Sequence, residues 1–96
     1  MGQFGTEYVN NILNMEPFKC GLLFVDGPYC SKDRGPIVNK WRDFAEVIVV
    51  HDTQPEARKR YNYDFTKFPH RHKSRFCSVH TTILSTREIS WAKAIL

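Results

Sequence analysis

Two uninterrupted apolar runs constrain this chain more than anything else in it. Leu22-Leu23-Phe24-Val25 ends on Asp26-Gly27, and Val47-Ile48-Val49-Val50 ends on His51-Asp52-Thr53. Neither run alternates apolar with polar residues, which is the pattern of a strand covered on both faces, as in a parallel sheet. The predicted strands span 19–26 and 46–51, and the 19 residues between them suit a crossover connection, not a hairpin. Within that connection, 35–45 reads as a helix. Pro36 suits a first turn, Ile37, Trp41 and Phe44 form one apolar stripe, and Lys40, Arg42 and Asp43 face away.

The remaining elements follow from local signals. Residues 6–15 read as a helix, with Thr6 as cap, an apolar face of Val9, Ile12 and Leu13, and Pro17 as the stop. Residues 52–74, with Pro55 and Pro69, read as a long basic aromatic loop. Residues 75–86 read as a strand with Cys77, Val79, Thr81 and Ile83 on one face. No clear helix precedes this strand, so it is expected to run antiparallel to its neighbour. The expectation is one α/β domain over 1–96, a small three-layer Rossmann-like fragment. It combines a βαβ unit of two parallel strands with an antiparallel C-terminal strand. A chain of this length hides only about 60–65% of its unfolded surface, so little stability is spare.

Several function classes lose support at once. No stretch approaches the ~18 apolar residues of a membrane span, so no membrane partner is expected. The start, MGQFGTEYVNN, has no basic region before an apolar one and does not read as a secretion signal. Cys20, Cys30 and Cys77 are odd in number and widely spaced, with no CxxC pair, which fits a reducing, cytoplasmic setting. No Ser-His-Asp order, phosphate loop or kinase motif occurs, so a self-contained hydrolase has no basis here.

The strand ends carry the chemistry. Parallel neighbours deliver their C-terminal ends to one edge, where ligand sites form. Asp26 and Asp52 would then stand near each other, with Thr53 beside them. Two carboxylates and a hydroxyl can hold a hard cation such as magnesium, or bind hydroxyl groups. His51, next to Asp52, is the candidate base. The plainer reading is turn chemistry: Asp-Gly commonly ends a strand, and a strand-end histidine commonly bonds a backbone carbonyl.

The order strand–DG–loop–RG–helix, then VIVVHDT, an aromatic loop and HTTILS, resembles the C-terminal half of a class I S-adenosylmethionine-dependent methyltransferase. It is most similar to the metal-dependent small-molecule O-methyltransferases. The resemblance covers roughly residues 19–86. It implies that Asp26, Asp52 and Thr53 fall where that family holds a magnesium ion against the acceptor hydroxyl. It also implies that 80–85 opens an antiparallel final strand. The family binds S-adenosylmethionine through a glycine-rich loop in its first half, and no GxGxG occurs here. The expectation is therefore a truncated methyltransferase-like domain without turnover by itself, and S-adenosylmethionine is not expected to bind this chain alone. The strand at 19–26 would be left as an apolar edge, which implies a homodimer or a partner chain covering it.

The charge is uneven. Residues 54–75 hold seven Lys or Arg against Glu56 and Asp64, a local +5 in a chain of net +4. Arg58, Lys59, Arg60, Lys67, Arg71 and Lys73 interleave with Tyr61 and Tyr63, a pattern suited to single-stranded nucleic acid or an acidic protein. The alternative is a solvated loop whose aromatics pin it to a thin core. His70 and His72 share a face if extended and reach a metal only with a third ligand that nothing in the sequence fixes.

Overall fold

The computed structural model describes residues 16–27, 31–74 and 79–88. The helix expected at 6–15 lies outside them. Strand β1 is Cys20–Val25, helix α1 Arg34–Lys40, strand β2 Ala45–His51, helix α2 Pro55–Tyr61, strand β3 His70–Ser74 and strand β4 Thr81–Ser85. They build one four-stranded sheet in the order β1-β2-β4-β3. β1 and β2 are adjacent and parallel, with Leu23 opposite Ile48 and Val25 opposite Val50. β4 is antiparallel to both β2 and β3. β3 therefore runs in the direction of β2, and β4 fills the space between them.

The βαβ unit and the antiparallel final strand agree with the sequence expectation; the stretch 52–74 does not. It contains α2 and β3, so it is not one long loop. α2 starts at Pro55, where the missing N–H costs nothing, and stops at Asn62, a left-handed cap with φ 58°. Its inward face is only Ala57 and Tyr61, too few apolar positions for a periodicity to register. β3 has the sequence HRHKS, with no apolar residue at all. Charged side chains on an edge strand discourage pairing with other chains, and they also disguise it as a loop.

Both helices pack on one face of the sheet. Val25, Ile48, Val50 and Leu84 meet Ile37, Val38 and Trp41 from α1 and its last turn, and Ala57 and Tyr61 from α2. Tyr63 and Phe68 close the same core. On the opposite face, Leu22 and Phe24 of β1 are 61% and 59% exposed. Beside them stand their register partners Val47 and Val49, which pack on Ile83. The expected three layers are thus two among the described residues, and β1 alternates inward and outward although its sequence does not.

Gly35, in the first turn of α1, fixes how the helices meet. A Cβ built on it would lie 1.9 Å from the backbone oxygen of Asn62 and 2.9 Å from that of Tyr61. Only glycine lets the start of α1 approach the end of α2 this closely.

Candidate functional site at the strand ends

The pairing of Val25 with Val50 sends β1 and β2 out of the sheet at one rim. Asp26 follows β1 directly and is exposed. His51 ends β2, and Asp52 and Thr53 follow it. Asp52 has φ 71°, a left-handed conformation that aspartate tolerates better than most residues. The tight turn aims two successive amides, of Asp52 and Thr53, at the carbonyl of His80, each at 2.9 Å. Gln54 completes the clip: its amide nitrogen donates to the Asp52 carboxylate, and its oxygen accepts from the His80 amide at 3.1 Å.

The four residues predicted for the rim separate here. Asp26 and Asp52 each lie just past the end of one of the two paired parallel strands. Thr53 turns inward: it is 5% exposed, and its hydroxyl lies 2.8 Å from that of Thr82. His51 pairs with Thr81 and by alternation carries its ring to the outer face, with Val47 and Val49. Its carbonyl accepts from Nη1 of Arg34 at 3.1 Å and from the Tyr63 hydroxyl at 3.3 Å.

Arg34 is the residue that sequence reasoning missed. It is 1% exposed, and its guanidinium stacks 3.8 Å from the centre of the Tyr61 ring. The same Nη1 reaches the Tyr63 hydroxyl at 3.3 Å. One buried cation thus ties the start of α1, the end of β2 and the end of α2 together beneath the rim. Burial pushes the Tyr63 hydroxyl up to about 12 from an ordinary 10.0, against the pull of Arg34. The Arg-Gly pair that opens α1 is the available signal, because the glycine marks a close approach.

The basic segment divides as sharply. Tyr61 is fully buried and Tyr63 is 8% exposed, so neither is a surface on which bases stack, as was expected of them. The two rings pack 5.5 Å apart, and Tyr63 continues to Phe65 at 5.0 Å. These aromatics hold the core. Lys59, Arg60 and Lys67 are exposed to solvent. Arg58, Arg71 and Lys73 converge with Thr53 and Thr82 on a cleft of about 340 Å³. Among the described residues, no group of three or more His, Cys, Asp or Glu is arranged to hold a metal ion. Nor is any helix there long and apolar enough to cross a membrane.

Comparison with protein-family models, with curated proteins and with solved structures finds no match to this chain.

Proposed function

We propose that this stretch of chain is the acceptor-binding half of a methyltransferase-like domain, with a rim at Asp26 and Asp52 that takes a divalent cation or hydroxyl groups, and without turnover by itself. The observation that carries the reading is the β1–β2 register, which puts both acids just past paired strand ends. The antiparallel β4 beside β2 is a second feature that the resemblance implies.

The donors suit magnesium, which takes one or two carboxylates and keeps several waters. Thr53 is engaged with Thr82, so the metal reading rests on the two carboxylates. A cation bound there would polarise an acceptor hydroxyl toward ionisation. His51 turns its ring to the outer face beside Val47 and Val49, so no base is assigned at the rim. S-adenosylmethionine binding is assigned to elements other than these. The apolar outer face of β1 is assigned to self-association, since its outer edge, which pairs with no other described strand, can pair with the same edge of a second copy around a two-fold axis.

Calorimetry with magnesium chloride tests the rim. A saturable signal that disappears in the Asp26→Asn/Asp52→Asn double variant supports the reading. No signal, or one unchanged by the double variant, ends it.

A further inference from the structure

The cleft beside the rim has a composition of its own. Its floor is the inward face of β3 and β4, where Arg71 and Lys73 are two residues apart on one strand and point the same way. Arg58, from the last turn of α2, enters from the side. Thr53 and Thr82 lie at the base, both nearly buried, with their hydroxyls 2.8 Å apart. Such a pair uses one of its two hydroxyl protons internally and leaves the other as a donor. The opposing wall is the segment from Tyr63 to Thr66. It presents the Phe65 ring and the carboxylate of Asp64, which accepts from the Thr66 hydroxyl at 2.6 Å and the Thr66 amide at 3.2 Å.

Among the described lining residues, two arginines, Lys73 and a hydroxyl donor face one carboxylate. One arginine saturates a bound carboxylate by bidentate contact, so this set exceeds what a carboxylate ligand needs. A terminal phosphate has three oxygens to distribute among donors arriving from different elements. A polyanion fits less well. Lys59, Arg60 and Lys67, the cations that would track a nucleic-acid backbone, do not line the cleft, and Asp64 stands in the way of a continuous charged strand. The volume, about 340 Å³, is at the small-molecule end of binding sites. Asp64 offers an acceptor for a hydroxyl or amino group on the body of the ligand.

We propose that the cleft between Arg58, Arg71, Lys73 and the Thr53–Thr82 hydroxyl pair binds a small phosphate monoester. Neither Asp26 nor Asp52 lines it, so it stands or falls apart from the metal reading of the rim.

The test is calorimetric titration of the whole chain, at fixed ionic strength, with inorganic phosphate, adenosine 5′-monophosphate and glucose 6-phosphate. At least one ester is expected to saturate. Preference for the nucleotide or for the sugar ester identifies the source, and equal binding of the two means that the headgroup alone is read. Arg71→Gln and Arg58→Gln should each weaken binding about tenfold or more, the loss of a good charged contact. Thr82→Val should weaken it and Thr82→Ser should not, which separates the hydroxyl from packing. Lys59→Gln, outside the cleft, should leave it unchanged. Far-ultraviolet circular dichroism confirms that each variant is folded. The proposal is overturned if no probe saturates at millimolar concentration, if Lys59→Gln weakens binding as much as Arg71→Gln, or if every variant binds like the parent chain.

Discussion

The guanidinium carbon of Arg34 lies 3.8 Å from the centre of the Tyr61 ring, where both residues are closed to solvent. A buried cation is costly unless its donors and its charge are both met. Here the ring supplies the charge contact, while the His51 carbonyl and the Tyr63 hydroxyl take up Nη1. Arg34→Leu leaves two polar groups facing an apolar side chain. Cation–π contacts of this kind and charge-assisted hydrogen bonds each contribute on the order of 1–3 kcal/mol, and they are not additive. We expect a loss of about 3 kcal/mol in urea unfolding. Arg34→Lys should recover only part of it, because an ammonium does not stack as a planar group does. A loss below about 1 kcal/mol for Arg34→Leu would contradict the role given to this residue.

Tyr63 ties the same cluster to pH. Its hydroxyl ionises at about 12 in the folded chain against an ordinary 10.0, chiefly because it is buried. A raised value means that folding favours the protonated form. The stabilising contribution is therefore complete below about pH 10 and is lost as pH climbs from 10 to 12. Tyr63→Phe removes the titrating group and one hydrogen bond, so at neutral pH it should cost about 1 kcal/mol. The gap between the parent chain and Tyr63→Phe should shrink across pH 10 to 12, measured by urea unfolding at each pH. A gap that stays constant over that window would show that the phenol is not held in its neutral form.

Gly35→Ala is expected to be far more damaging than a usual helix substitution. Alanine normally favours a helix over glycine by about 1 kcal/mol. Here the added carbon would meet the Asn62 oxygen at 1.9 Å, and that oxygen is backbone. Relief requires α1 and α2 to separate, which also loosens Arg34 from Tyr61. Thermal unfolding should show a drop of more than about 8 °C, the size of effect that roughly 2 kcal/mol produces in a domain this small. A melting point equal to or above that of the parent chain would mean that the helices are not packed this closely.

Legibility followed the apolar residues. β1 and β2 announce themselves by unbroken apolar runs, α1 by the stripe of Ile37, Trp41 and Phe44, and β4 by the alternating stretch that ends in Ile83. The shared rim of Asp26 and Asp52 follows from parallel β1 and β2 alone. α2 and β3 were hidden for opposite reasons. α2 buries only Ala57 and Tyr61 in seven residues, while β3 is polar because it lies at an edge with Arg71 and Lys73 over a cleft. Continuous hydrophobicity misled for β1, where Leu22 and Phe24 face outward while Leu23 and Val25 face the core. No pattern in the chain could show that Thr53 would meet Thr82, 29 residues away, because that contact depends on the order of the strands.

The rim calls for a carefully chosen substitution. Asp52 occupies a left-handed conformation at φ 71°, which asparagine also accepts and alanine resists. Asp52→Asn therefore removes the charge while leaving the turn that delivers two amides to the His80 carbonyl. Asp52→Ala should cost about 1 kcal/mol or more in unfolding beyond Asp52→Asn, from backbone conformation and from loss of the bond that Gln54 donates. Both should abolish a magnesium signal. If Asp52→Asn keeps it, the carboxylate charge is not what holds the ion.

Self-association is the last consequence of the β1 geometry. Leu22 and Phe24 are each more than half exposed, side by side with Val47 and Val49, and the outer edge of β1 pairs with no other described strand. Apolar side chains next to an open edge favour pairing with another chain, and a two-fold axis would set β1 antiparallel to its own copy. Both the edge and the apolar stripe would then be used at once. Sedimentation equilibrium at micromolar concentration should give a species of twice the chain mass. Leu22→Lys with Phe24→Lys places like charges across that axis and should return the chain to a monomer. Both side chains are more than half exposed, so the unfolding midpoint of the double variant should stay close to that of the dissociated parent chain. A parent chain that sediments only as a monomer would leave β1 an edge with no pairing role, and the self-association reading would be withdrawn.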